Sequence, residues 1–164
     1  MKKHSKPRRL FLLAIILGSG ASTIAAGSDA SGQASPYPAQ HVSPIVGTWI
    51  VKHRNAPFPF HMYVFNADHT MQQANPDAGD AQTSDSDGKG VWADKGDHLV
   101  GKWVEIIANR STHKYSGSGE FTYDIVVNGD KLTGSGSFLA FDAEGTSVGR
   151  PLPSPFTGTR VTVP

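Results

Sequence analysis

VGTWIV, residues Val46–Val51, begins the patterned part of the chain, directly after a segment rich in proline and serine. Its main feature is a glycine, Gly47, two residues before a tryptophan, Trp49, at the head of a predicted β-strand. Plain core packing explains such a tryptophan, and so does a closed barrel in which the ring seals one end. The pattern of the remaining chain bears on this choice.

Residues 45–164 read as short β-strands separated by turn residues, with no stretch of helical period. The pattern predicts eight strands: Ile45–Arg54, Phe58–Asn66, Thr70–Ala74, Gly90–Ala93, His98–Asn109, Tyr115–Val127, Lys131–Phe141 and Phe156–Val163. A long polar loop precedes the fourth strand, and a proline-rich loop precedes the eighth. Because the connections are mostly short and sequential, we predict an all-β fold, an eight-stranded antiparallel up-and-down β-barrel, which leaves no exposed sheet edge. A two-sheet sandwich with Greek-key connections is the alternative.

Glycines recur inside two of the predicted strands, in the segments SGSGEF and TGSGSF. Glycine inside a strand normally weakens pairing, and it often marks a bend. A small barrel needs strongly curved strands, so these glycines favour the barrel.

The segment Gly47–Trp49 resembles the Gly-x-Trp signature of the lipocalins and the wider calycin superfamily. In that superfamily the tryptophan closes the narrow end of an eight-stranded barrel, and an arginine near the end of the last strand packs across its ring. Gly158–Arg160 occupies the second position here. The resemblance implies that Gly47, Trp49 and Arg160 close the barrel, with a cation–π contact that contributes roughly 0.5–2 kcal/mol. The Thr-Asp-Tyr type motif of lipocalins has no match, so the resemblance is to a lipocalin-like barrel.

Residues 1–26 predict a secretory signal peptide, because basic residues come first, an apolar run follows and small residues end the segment. The apolar run, Leu10–Leu17, is shorter than the roughly 20 residues that a membrane-spanning helix needs. The sequence RRLFL at Arg8–Leu12 matches the twin-arginine export pattern, and export of an ordinary basic signal by the general route is the alternative. Either route predicts a secreted or periplasmic protein, without membrane insertion after signal cleavage.

Residues 27–44 are small, polar and proline-containing, and they predict a flexible linker ahead of a barrel domain at 45–164. The chain has 15 Lys and Arg and 14 Asp and Glu, but five of the basic residues and no acidic ones lie in the predicted signal. The other residues therefore carry 10 basic and 14 acidic side chains, a formal charge of −4. This balance argues against nucleic acid as a partner, since sequence-independent binding needs clustered Lys and Arg.

Strand alternation predicts which side chains face the interior. With Trp49 inward, His53 on the same strand is inward as well. On the predicted fifth strand, the face with Trp103 and Glu105 is more apolar than the opposite face, so it is predicted to be internal. The predicted ligand-binding lining is His53, His61, Tyr63, Trp92, Trp103, Glu105 and Tyr123.

The sequence favours a binding protein whose barrel holds one small apolar or amphipathic ligand, because eight strands enclose just enough space for one. The first alternative is a cofactor-independent isomerase, cyclase or hydrolase that uses Glu105 with His53 or His61 as an acid–base pair. The second is a structural barrel filled by its own side chains. We predict no cofactor and no metal site, and the sequence specifies no oligomeric state.

Overall fold

The computed structural model describes residues 42–164, which form nine β-strands. They are β1 (Gly47–His53), β2 (Phe60–Phe65), β3 (Thr70–Ala74), β4 (Thr83–Asp85), β5 (Gly88–Asp94), β6 (Leu99–Asn109), β7 (Tyr115–Asn128), β8 (Lys131–Asp142) and β9 (Ser147–Arg160). Within this part of the chain, no helix is long and apolar enough to cross a membrane. The predicted signal peptide, 1–26, and residues 27–41 of the predicted linker lie outside the described residues.

The strands close into one antiparallel barrel. Apart from the short β4, each strand pairs with the strands that precede and follow it, and β9 returns to pair with β1. The short β4 and the longer β5 both pair with β6, β4 near its end and β5 along its first half. The two therefore act as one interrupted strand, and the ring has eight members. The predicted fold class, an all-β eight-stranded antiparallel up-and-down barrel, is confirmed.

Two segments that the sequence assigned to loops are strands. The polar loop after β3 contains β4, and the proline-rich segment before the predicted last strand is the first half of β9. Proline has no N–H to donate to a neighbouring strand, so a sheet tolerates it only where the backbone N–H would make no ladder hydrogen bond. The carbonyls of Pro153 and Pro155 point away from β8 and accept from the Asn55 side chain and the Arg54 backbone. The proline nitrogens share that edge, and no ladder hydrogen bond to β8 is lost.

Side chains fill the end of the barrel where β1 begins. The buried apolar set there is Ile45, Trp49, Phe65, Met71, Trp92, Leu99, Ile125 and Leu132. The guanidinium carbon of Arg160 lies 4.2 Å from the centroid of the Trp49 ring, and its Nη1 donates to the Val46 carbonyl at 2.8 Å. A Cβ on Gly47 would lie 3.0 Å from that same nitrogen. The residues of the two terminal motifs therefore join the first and last strands at this end.

Inward-facing glycines make room for the aromatic rings of this narrow barrel. A Cβ on Gly136 would lie 2.1 Å from the Phe121 ring, and one on Gly134 would lie 2.3 Å from the Phe156 ring. The glycines of the Gly-Ser segments thus sit beneath aromatic side chains of neighbouring strands. Such aromatic cover of strand glycines stabilises a curved sheet.

Replacing Gly136 by alanine is expected to lower the free energy of unfolding by about 1–3 kcal/mol, because the added methyl overpacks the core against Phe121. Urea unfolding followed by tryptophan fluorescence measures the change. Gly79→Ala is the control, since its Cβ would meet nothing closer than 3.5 Å. Equal stability of the two variants would contradict this account of the strand glycines.

Candidate functional site

A cavity of about 290 Å³ opens at the end of the barrel opposite Trp49 and Arg160. It lies between the end of β1 and the middle of β9, and the loops after β1 and β3 form its rim. Its lining residues are His53, Asn55, Ala56, Pro57, Phe58, His61, Asn75, Gly79, Asp80, Thr83, Asp85, Trp103, Glu105, Ile107, Phe121, Phe138, Leu152, Pro153 and Ser154. The interior is therefore packed at one end and hollow at the other.

The inner wall of the cavity is aromatic. The rings of Trp103 and Phe121 stack with centroids 5.3 Å apart, and Phe138 lies beside Trp103 at 6.4 Å. Such pairs bury a large apolar area with few freely rotating bonds. This wall presents a rigid apolar surface to anything that enters the cavity.

His53 is held by a buried hydrogen-bond chain. The Tyr63 hydroxyl, fully buried, accepts from Trp103 Nε1 at 3.2 Å and lies 2.9 Å from His53 Nε2. Because the Tyr63 hydroxyl already accepts from Trp103, we assign its proton to His53 Nε2, which puts the imidazole proton of His53 on Nδ1. Nδ1 donates to Ser154 Oγ at 3.0 Å. In this arrangement the imidazole does not accept a proton from Ser154, so Ser154 is not activated as a nucleophile.

Both ring nitrogens of His61 are also engaged in hydrogen bonds within the protein. Its Nε2 lies 2.9 Å from the Phe58 carbonyl and must donate to it. Its Nδ1 then accepts from the Gln73 amide nitrogen at 3.0 Å. The same nitrogen donates to Asn75, while the Gln73 oxygen accepts from the Gly88 backbone N–H at 2.9 Å. Gln73 is fully buried, and both its amide nitrogen and its amide oxygen have hydrogen-bond partners.

Both imidazoles remain neutral at physiological pH. Burial, together with the nearby His61, lowers the pKa of His53 to about 3. Burial also lowers the pKa of His61, although the hydrogen bond to Phe58 opposes the shift. The two rings lie 4.6 Å apart between centroids, so a charge on one ring further opposes protonation of the other. Neither ring keeps a free lone pair for a substrate proton, so the geometry gives no support to either one as a general base.

Glu105 differs from the histidines because its carboxylate opens onto the cavity instead of contacting a protein hydrogen-bond donor. Its residue is 7% exposed and lines the cavity. Among residues 42–164 it has no hydrogen bond, and no histidine nitrogen lies within 4 Å of it, so the predicted Glu–His pair is not formed. Burial, and secondarily the charge of Asp85, raises the pKa of Glu105 to about 7. The carboxyl group is thus easier to protonate than an exposed glutamate, and it lines the cavity.

Further carboxylates lie towards the rim. Asp85 is opposite Ile107 in the β4–β6 pairing, which puts it on the same inward face as Glu105. Burial, with Asp77 and Asp80, raises the pKa of Asp85. Arg110 forms an ion pair with Asp77 at 2.6 Å. Within the described residues, no lysine or arginine lines the cavity.

Of the seven predicted ligand-binding residues, the structure brings four to the cavity: His53, His61, Trp103 and Glu105. Tyr63 lies behind them and positions His53. Trp92 and Tyr123 lie deeper in the packed interior. Trp92 donates to the carbonyls of Asn66 and Thr70 near the closed end, and the Tyr123 hydroxyl contacts the Val91 carbonyl.

Sequence reasoning missed three polar residues of the site. Gln73 shares its inward face with Met71 on β3, so alternation on that strand was the available signal. Ser154 alternates inward with Phe156, but the surrounding prolines concealed the strand. Asp85 lies in a segment whose polar composition resembles a loop.

Comparisons of the chain with models of protein families, with curated proteins and with solved structures found no match. The closed eight-stranded antiparallel barrel is compatible with a lipocalin-like fold.

Proposed function

We propose that the protein binds one small apolar or amphipathic molecule in the cavity of its barrel. The observation that carries the proposal is the contrast between the two ends: one is packed with side chains, and the other holds a cavity of about 290 Å³. That volume lies near the lower limit of about 300 Å³ for small-molecule pockets. The aromatic wall of Trp103, Phe121 and Phe138 supplies the apolar contact that such a ligand needs.

The polar groups of the cavity support binding more than catalysis. Hydrogen bonds to other protein groups fix the orientation of His53, His61 and Gln73. Pre-ordered walls reduce the entropy lost when a ligand binds. An enzyme that relied on these histidines would need a free imidazole nitrogen, and both rings use both nitrogens.

The proposal includes export and a lipocalin-like relationship. Export is supported by the order of basic, apolar and small residues in 1–26. The relationship is supported by the cation–π contact of Arg160 with Trp49, which joins the first and last strands as in that superfamily. Together they describe a secreted or periplasmic carrier or scavenger of a small molecule.

Blocking the cavity tests the proposal. Ile107 lines the cavity, whereas its neighbour Ile106 is 53% exposed on the outer face of the same strand. We expect the wild-type chain to bind the neutral apolar dye N-phenyl-1-naphthylamine with enhanced fluorescence, and Ile107→Trp to weaken binding at least tenfold. Ile106→Trp, the matched control, is expected to bind like wild type.

A second measurement concerns the natural ligand. Native mass spectrometry of the protein purified from its own host is expected to show a reproducible small-molecule adduct that Ile107→Trp removes. Dye binding that is absent from the folded wild-type chain, or unchanged in Ile107→Trp, would contradict a ligand site in this cavity.

A further inference from the structure

The charge of the cavity narrows the class of ligand. Glu105 is 7% exposed, and its carboxylate has no hydrogen-bond donor among residues 42–164. Ionising a carboxylate in such a largely buried position is unfavourable unless a positive charge lies close to it. The carboxylate oxygens of Glu105 are open to the cavity and engaged by no protein donor in the described part of the chain, so they are free to accept a hydrogen bond from a ligand.

The other charges at the cavity favour a cationic donor over a neutral one. Asp80 and Asp85 also line the cavity, so its carboxylates create a negative potential. The guanidinium of Arg110 lies near these carboxylates, but it is already engaged by the Asp77 carboxylate and by the carbonyls of Asp77 and Asp80. The histidines of the wall are neutral and contribute no positive charge.

We propose that the cavity selects amphipathic ligands that carry a protonated basic nitrogen, with the apolar part against Trp103 and Phe121 and the nitrogen at Glu105. This inference rests on the proposed ligand-binding function and names its ligand class. An anionic amphiphile such as a fatty acid meets like charge at the same place, so the cavity rejects it.

The pH dependence of binding follows from the same geometry. In the free protein the pKa of Glu105 is about 7, and a bound cation lowers it because the pair is favourable only when the carboxylate is charged. Amine affinity therefore rises as the pH increases from 6 to 8, approaching tenfold per pH unit below 7. The other titratable groups near Glu105 do not reverse this trend, because His53 and His61 are already neutral and Tyr63, whose pKa burial raises, stays protonated. Asp85, whose pKa burial also raises, gains negative charge as the pH increases, and this favours the amine further.

Three probes with related skeletons test the inference on the full chain by isothermal titration calorimetry at pH 8: 2-phenylethylammonium, 2-phenylethanol and 3-phenylpropanoate. We expect the amine to bind at least tenfold more tightly than the alcohol, and the carboxylate to bind most weakly. Glu105→Gln is expected to remove the preference for the amine while leaving binding of the alcohol within about threefold. Glu120→Gln is the control, because Glu120 lies on β7 outside the cavity and pairs with Lys102.

The outcomes separate this inference from the proposed function. If the alcohol or the carboxylate binds as tightly as the amine, or if Glu105→Gln retains the amine preference, the inference is wrong and the cavity is still a ligand site. If the neutral dye binds but none of the three probes does, the inference about the ligand class is wrong, whereas the proposed binding function stands. If neither the dye nor any probe binds, both proposals fail.

Discussion

Replacing Trp49 by alanine is expected to lower the free energy of unfolding by about 3–5 kcal/mol, the range for truncation of a large buried aromatic residue. Trp49 is fully buried, and its Nε1 donates to the Ile45 carbonyl at 2.8 Å. The truncation also removes the surface on which Arg160 lies, 4.2 Å from the ring centroid. The loss combines apolar burial, a hydrogen bond and the contact between first and last strands.

Chemical denaturation followed by circular dichroism measures this loss without relying on the deleted tryptophan. Phe60→Ala is the control, since Phe60 is an aromatic residue of β2 with 48% exposure, and its truncation is expected to cost less than 1 kcal/mol. Arg160→Gln is expected to fall between the two, because it removes the cation but leaves the indole buried. Similar stability of Trp49→Ala and Phe60→Ala would show that Trp49 does not hold the barrel closed.

The fold was predictable because the sequence is locally consistent along most of its length. Apolar residues alternate on the predicted strands, and turns such as Asn128-Gly129 separate them. The inner face of β6 was predictable too, because the face with Leu99, Trp103 and Ile107 has the larger apolar surface. Leu99, Trp103 and also Glu105 on that face are buried. The first half of β9 was not predictable. Prolines at alternate positions normally indicate a loop, and the sequence does not show that these prolines face an edge of the strand that makes no ladder hydrogen bonds.

The site was less predictable, because it depends on register between strands far apart in sequence. His53 and Ser154 lie 101 positions apart, and only the pairing of β9 with β1 brings them to 3.0 Å. Alternation placed Glu105 and His53 inside but gave no distance between them. The expected acid–base pair is absent because His53 is already satisfied by Tyr63 and Ser154, which leaves Glu105 alone.

Folding shifts the pKa values of Glu105 and His53 in opposite directions, and both shifts are expected to make the free energy of unfolding depend on pH. The pKa of Glu105 rises from 4.5 to about 7 on folding, so the folded state holds this proton more tightly. The resulting stability is fully present below pH 4.5 and is lost as the pH rises to 7, a change of up to about 3 kcal/mol. The pKa of His53 falls from 6.5 to about 3 on folding. Its effect has the opposite sign: stability is lost as the pH falls from 6.5 to 3, by up to about 5 kcal/mol.

In wild type the effects of Glu105 and His53 offset each other between pH 4.5 and 6.5, so only the loss from His61 is expected there, and stability is expected to fall steeply below pH 4.5. The lowered pKa of His61 adds to the acid loss. Glu105→Gln removes one of the two effects. The variant is expected to be more stable than wild type at pH 8 by up to about 3 kcal/mol, to match it near pH 4, and to lose stability from about pH 6.5 downwards.

Urea unfolding at half-unit pH intervals from 4 to 8 measures both curves. Glu144→Gln is the matched control, because Glu144 is exposed in the turn before β9 and its replacement is expected to leave the profile unchanged. Parallel curves for wild type and Glu105→Gln over this range would mean that Glu105 does not titrate differently on folding. Curves that converge at acid pH and separate at alkaline pH would instead establish an unpaired carboxylate inside the barrel, held there at a cost in stability that a cationic ligand offsets.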